Sequence, residues 1–169
     1  TIPASISGVL TVCTGSTTSL SCSTGGGTWS SSNTAIASVI STGIVTGVGA
    51  GTVSISYTAS NGCVRTAVMT VNSVPDAGTI TGASSVNEGS TTTLDNATTG
   101  GTWSSSTTII ATVGSTGIVT GLVIGTGIIS YTVSNSCGNA SATKLMTVNA
   151  AAVCPAIITT IAGTGIAGS

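Results

Sequence analysis

The sequence predicts an all-β protein built as two tandem β-sandwiches followed by a C-terminal extended strand. Three observations carry that expectation. The chain repeats itself at an offset of 74 residues, its apolar residues alternate with Ser and Thr at a period of two, and turn-forming glycines punctuate it every few residues. The repeat is anchored on Gly-Thr-Trp-Ser-Ser-Ser at 27–32 and again at 101–106, and Trp29 and Trp103 are the two tryptophans of the chain. Setting residue 6 against residue 80 gives 36 identities over 58 positions, as far as Cys63 and Cys137. A 169-residue chain with such a period divides into a domain at 1–73, a domain at 74–150 and a tail at 151–169. Each domain is close to the lower size limit for independent folding.

Within the first copy, Val53, Ile55, Tyr57 and Ala59 alternate with Thr52, Ser54, Ser56 and Thr58. This is the pattern of a strand with one apolar face turned inward and one hydroxyl face turned outward. Ala67, Met69 and Val71 alternate in the same way with Thr66, Val68 and Thr70. Shorter strands are expected at 9–13, 16–22, 27–31, 36–40 and 44–48, with turns at Gly15, Gly25 to Gly27, Gly43, Gly49 to Gly51 and Asn61-Gly62. About seven short strands per copy means a sandwich. No stretch sustains a 3.6-residue apolar period, so no substantial helix is expected. The second copy carries about three extra residues before Met146, which predicts a longer last hairpin. The junction at 72–78 is short and contains Pro75, which predicts a stiff connection.

Composition excludes several functions. Arg65, Lys144, Asp76, Glu88 and Asp95 are all the charged residues, and there is no His. Two cations cannot neutralise a nucleic-acid backbone or an anionic membrane surface. No apolar run is long enough to span a bilayer; the best, at 121–129, is broken by Gly and Thr. Mean hydropathy is nevertheless positive, which argues against disorder and leaves much apolar surface to be covered. The chain opens without an initiator Met or a signal peptide, and reads as a processed product or a piece of a longer one.

Four motifs recur in fixed order: Gly-Thr-Trp-Ser-Ser-Ser, Ile-Ala-x-Val at 36–39 and 110–113, Ser-Thr-Gly-Ile-Val-Thr-Gly at 41–47 and 115–121, and Ile-Ser-Tyr-Thr at 55–58 and 129–132. Together they resemble the bacterial immunoglobulin-like domains of group 2, the repeat modules of invasin/intimin-type surface adhesins. The resemblance covers about residues 5–149. It implies a seven-stranded Ig-like sandwich, export to the bacterial cell surface, and service as a stalk or surface repeat with no catalytic residues. The segment 157–165 resembles the opening of an NHL-type propeller repeat, without the rest of such a repeat.

Export makes the five cysteines, at 13, 22, 63, 137 and 154, disulfide candidates. A bridge between Cys13 and Cys63 is the preferred pairing, with Cys22 to Cys63 as the alternative. The second copy has Asn87 and Asn96 in place of Cys13 and Cys22, so Cys137 has no partner in its own domain, and Cys154 is its nearest candidate in sequence. No zinc site is expected, because there is no CxxC spacing and no His.

Trp29, Trp103, Tyr57 and Tyr131 are expected as core anchors, with the tyrosine hydroxyls reaching backbone. The Ser runs lack a base to activate them, so no enzyme and no cofactor are expected. Asp76, Glu88 and Asp95 are too scattered to favour a calcium site over solvated carboxylates.

The expected function is structural: a secreted module of a bacterial surface filament, stalk or adhesin. It would self-associate through sheet edges and apolar contacts, or stack against neighbouring Ig-like repeats. Few charges guard its sheet edges. The apolar stretch after residue 152, with Ile157, Ile158 and Ile161, is the candidate assembly strand, donated to a neighbouring subunit's sheet. A glycan or host-surface ligand is the alternative partner.

Overall fold

The computed structural model describes residues 2–152. Val153 onward, including Cys154, Ile157, Ile158 and Ile161, lies outside the described residues. The first unit contains β1 (Ser7–Gly8), β2 (Thr11–Cys13), β3 (Thr17–Ser21), β4 (Thr28–Ser31), β5 (Ala37–Val39), β6 (Ile44–Gly47), β7 (Gly51–Thr58) and β8 (Val64–Asn72). The second contains β9 (Ile80–Gly82), β10 (Ser85–Asn87), β11 (Thr91–Asn96), β12 (Thr102–Ser105), β13 (Ala111–Val113), β14 (Ile118–Gly121), β15 (Gly125–Asn135) and β16 (Gly138–Asn149). There is no helix among the described residues.

Each unit is two four-stranded sheets. In the first they run β1-β3-β6-β5 and β2-β8-β7-β4; in the second, β9-β11-β14-β13 and β10-β16-β15-β12. The count exceeds seven because the opening strand is split: β1 pairs antiparallel with β3 in one sheet, and β2 pairs parallel with β8 in the other. β9 and β10 divide in the same way.

The period-two pattern places the core. In β7, Val53, Ile55 and Tyr57 are buried while the Ser and Thr between them are partly exposed. Val53 and Ile55 meet Val12, Leu20, Ala37, Val45, Met69 and Val71, with Trp29 and Ile36 packed against the cluster. The second core repeats this with Val86, Leu94, Ala111, Val119, Ile129, Met146 and Val148. Burying an Ile or Met side chain contributes roughly 1.5–3 kcal/mol, so these few residues carry most of each small domain.

Two glycine positions are fixed by close approach. Gly43 and Gly117 take φ of +83° and +79°, and a Cβ there would run into the carbonyl oxygen of Leu20 or Leu94. Gly27 and Gly101 lie against the rings of Tyr57 and Tyr131, where any side chain would collide.

The second copy's hairpin is longer, with β15 and β16 of 11 and 12 residues against 8 and 9 for β7 and β8. The edges are guarded by brevity rather than charge: β1, β2, β4 and β5 are two to four residues each. Two stretches are less protected: the outer side of β16 at 138–146, because β10 pairs only with Thr147, Val148 and Asn149, and the outer side of β8. β2 covers β8 only at Thr70, Val71 and Asn72, so among the described residues no strand pairs with 64–69 on the side away from β7.

Candidate functional site

The chemistry-bearing residues converge on the joint between the two units. Because β2 runs parallel to β8 with Cys13 opposite Asn72, Cys13 stands at the end of the first sandwich that faces the second. The hairpin of β15 and β16 presents Cys137 at its tip, at the end of the second sandwich that faces the first. The two cysteines form a disulfide across the joint, with Cα atoms 5.7 Å apart and a sequence separation of 124.

This corrects the pairing expected from the sequence. Cys13 is bonded to Cys137 rather than Cys63, and Cys137 has its partner in the other domain. The reason is the parallel register. Cys63 sits just before β8 begins, while Cys13 lies beside the last residue of β8. Nine residues of strand separate the two ends, on the order of 30 Å, whereas a disulfide requires Cα atoms within about 7 Å. Cys22 and Cys63 are both free and half-buried, so the alternative pairing is not made either.

Polar contacts close around the bond. Asn72 Nδ2 donates to Ser136 Oγ at 3.4 Å, and Asn135 Nδ2 donates to the Ser73 carbonyl at 3.0 Å. The Asn135 side chain also accepts from the Cys137 N–H at 2.7 Å, which fixes the hairpin tip. On the linker, Asp76 Oδ1 accepts from the Gly78 N–H at 2.9 Å, and Asn96 Nδ2 donates to the Ala77 carbonyl at 2.8 Å. Ala77 is buried beside Tyr131 and Val133, so the second sandwich takes up the chain before its first strand begins.

The aromatic residues have structural partners. Tyr57 hydroxyl accepts from the Gly27 N–H at 2.8 Å and donates to the Thr24 carbonyl. Tyr131 does the same with Gly101 at 2.8 Å and Thr98 at 2.7 Å. Trp29 and Trp103 pack edge-on or tilted against these rings, with centroids 4.9 and 4.8 Å apart. Both tryptophans are half-buried at the flank of the core rather than at its centre. Trp29 lines a pocket of about 280 Å³ together with Leu20, Cys22, Ser41, Thr42 and Tyr57.

The serines of the repeated motif serve the backbone. Ser31 and Ser105 hydroxyls donate to the carbonyls of Ala37 and Ala111, and Ser32 and Ser106 oxygens accept from the N–H groups of Ser54 and Ile128. No group of three His, Cys, Asp or Glu gathers among the described residues. No helix of the described residues is long and apolar enough to cross a membrane.

The far end of the second sandwich differs from its counterpart. Where the first copy has Ala35, Val48, Gly49 and Ala50, the second has Ile109, Leu122, Val123 and Ile124. All four of the latter are exposed, with Ile109 75% and Ile124 58% accessible. Leu122 and Val123 donate their N–H groups to the Ile110 carbonyl, so the four lie together as one apolar patch. Neither the gathering of these four side chains nor the cross-joint disulfide was legible in the sequence. Both were signalled by positions where the two copies disagree.

The bacterial Ig-like domain (group 2) family model matches residues 4–71. No curated protein sequence matches the chain. Among solved structures, the chain is similar to invasin, a bacterial integrin-binding protein, at 15% identity and TM-score 0.55, covering 86% of this chain and 38% of that one. It is similar to the C-terminal 282-residue fragment of intimin, solved with the intimin-binding domain of its translocated receptor, at 18% identity and TM-score 0.52 over 88% and 65% of the two chains. It also matches domains 4 and 5 of the S-layer protein SbsC at 18% identity and TM-score 0.42, over 90% and 100%. The chain therefore spans less than two thirds of the invasin and intimin structures, and at these identities the likeness is one of fold.

Proposed function

We propose that the chain is a tandem of bacterial Ig-like domains, the first matching the group 2 family model and the second repeating it, and that it serves as a non-enzymatic structural module of a bacterial surface filament or stalk. The single observation that carries this reading is the Cys13–Cys137 bond. A disulfide inside a sandwich stabilises that sandwich; one between sandwiches holds their relative orientation, which matters when the array bears load or sets a distance. The proteins that share the fold with TM-scores above 0.5, an integrin-binding protein and a receptor-bound fragment, agree with display at the surface.

Assembly in this reading is head to tail. The apolar patch of Ile109, Leu122, Val123 and Ile124 packs on the opposite end of the next copy, where Ile2 is 72% exposed. The tail of one copy, with Ile157, Ile158 and Ile161, adds to the open outer edge of β8 at 64–69 in the next. Head-to-tail order makes that addition parallel, because both the tail and β8 run away from the contact. Negative-stain microscopy of the purified chain, with and without residues 153–169, tests the reading. Regular filaments lost on truncation are expected. Discrete two-domain particles from the intact chain would refute self-assembly, and filaments unchanged by truncation would refute strand donation.

The pocket beside Trp29 gives a glycan-binding reading its one specific place. A glycan array in which selective binding is lost in Trp29→Ala would favour it over a purely structural role.

A further inference from the structure

The Cys13–Cys137 bond shortens the covalent route between the two ends of the tandem. Along the backbone alone, that route runs through every residue of both sandwiches. The disulfide opens a second one: residues 2–13, across the two sulfurs, then residues 137–149. Residues 14–136 become a closed loop hanging from the bridge. Tension is carried by the shortest taut covalent path, so a loop of this kind bears none once the bridge is taut.

The shorter route is already drawn out lengthwise. At the outer end of the first sandwich the Ala4 N–H donates to Thr24 Oγ1 at 2.9 Å, and Ser7 and Gly8 pair with Ser21 and Leu20. Thr11 to Cys13 then run beside Thr70 to Asn72 as far as the joint. In the second sandwich β16 is one unbroken strand of 12 residues from the hairpin tip to the outer end, about 36 Å at the rise of a strand. That rise, about 3.3 Å per residue, is close to the most a chain can reach. Pulling on this route therefore gains little length, and the force on β16 is balanced between its own two ends instead of shearing it from β15. Without the bond the same tension enters the first sandwich at β1 and leaves at Asn72, then enters the second at β9 and leaves at Asn149. The first and last strands of each sandwich touch through only three parallel pairs, Thr11–Cys13 on Thr70–Asn72 and Ser85–Asn87 on Thr147–Asn149. Those short ladders would then take the load in shear, and each core would lie on its path.

We propose that the bond makes the tandem a nearly inextensible link: tension applied at its ends runs along residues 2–13 and 137–149 and bypasses both sandwich cores. This rests on the stalk or filament reading above for where such tension arises, and adds the path that the load takes. A module built this way keeps its length and both its folded domains under a pull that would unravel two singly tethered sandwiches.

The test stretches the full chain by handles at its two ends in single-molecule force spectroscopy. The oxidised wild type is expected to show no long unfolding step. Reductant should free the loop, and a sequence separation of 124 at about 3.5 Å per residue adds on the order of 430 Å of contour length. That gain should come in two steps of similar size, one per sandwich. The double variant Cys13→Ser, Cys137→Ser should show both steps without reductant, while Cys22→Ser should behave as the wild type. Residues 150–169 lie on the route in every state and cancel in the comparison. Long steps from the oxidised wild type, or a reduced chain no longer than the oxidised one, would overturn the proposal. The reductant comparison uses the wild-type chain, so it decides the matter even where the double variant fails to fold. None of these lengths depends on filament formation, so a failure here is read separately from a failure of the filament reading under the microscope.

Discussion

Replacing both Cys13 and Cys137 by serine should destabilise each sandwich, although neither sandwich contains the bond within itself. When the second sandwich unfolds and the first stays folded, its chain is held at Ser73 by the junction and at Cys137 by the disulfide. The closed loop has roughly 65 residues, for which the chain-entropy model gives about 4 kcal/mol. When the first sandwich unfolds instead, the loop from Cys13 to the junction is nearly the same length, with the same figure. The hydrogen bonds of the joint, from Asn72 to Ser136 and from Asn135 to Ser73, are exposed and contribute about 1 kcal/mol each at most. The disulfide therefore dominates the coupling. For domains of this size each kcal/mol moves the melting temperature by about 4–8 °C, so a shift on the order of 15–30 °C is expected. Scanning calorimetry of the wild type, the double serine variant and the wild type with reductant measures it, and Cys63→Ser is the control with no shift. If the double variant melts within about 2 °C of wild type, well below the shift for 1 kcal/mol, the joint does not restrain the unfolded chains and the loop argument is wrong.

Three other outcomes follow from single contacts. Tyr131→Phe removes the hydroxyl that joins the Gly101 N–H to the Thr98 carbonyl, and should cost about 1–3 kcal/mol in urea unfolding of the second sandwich. Ile129→Ala empties part of a fully buried position and should cost about 2–5 kcal/mol by the same measurement, with the cavity detectable as lowered cooperativity before any change in secondary structure by circular dichroism. Gly117→Ala sets a Cβ at φ +79° against the Leu94 carbonyl oxygen, and should cost more than the roughly 1–2 kcal/mol of the left-handed backbone alone; a soluble variant with unchanged urea midpoint would show that this turn is not fixed as described.

The sandwich was legible because burial here is written in two-residue alternation. Val53, Ile55 and Tyr57 are inward in the structure as the pattern requires, and the glycines at 43 and 117 mark real turns. Less legible were features set by which strand end meets which. The Cys13 to Cys63 pairing failed because a sequence shows that both residues lie near strand ends but not that β2 runs parallel to β8, which puts those ends at opposite poles. Trp29 and Trp103 read as core anchors, yet β4 and β12 are edge strands, so their rings pack against tyrosine at the flank of each core and stay half-buried. The scarcity of charge suggested unguarded edges, but strands of two to four residues offer little edge to guard, and the vulnerability narrows to the outer sides of β8 at 64–69 and of β16 at 138–146.

Agreement between the copies and disagreement between them carry different information. The identical positions are those any such sandwich needs: Val12 and Val86, Leu20 and Leu94, Trp29 and Trp103, Tyr57 and Tyr131, Gly43 and Gly117. Several differing positions gather at sandwich ends, where Cys13 becomes Asn87, Ala35 becomes Ile109, and Val48, Gly49 and Ala50 become Leu122, Val123 and Ile124. A core residue sees the same surroundings in both domains, so it stays. An end residue stands on the joint side in one copy and at the outer end in the other, so its surroundings differ. The changes at these positions remove a thiol and add bulk to apolar side chains, while at the same end Thr14 becomes the exposed Glu88. Larger aliphatic side chains suit a contact with another protein end, and under the head-to-tail assembly proposed above it is this difference, rather than the repeated Trp and Ser motif, that marks the place of contact.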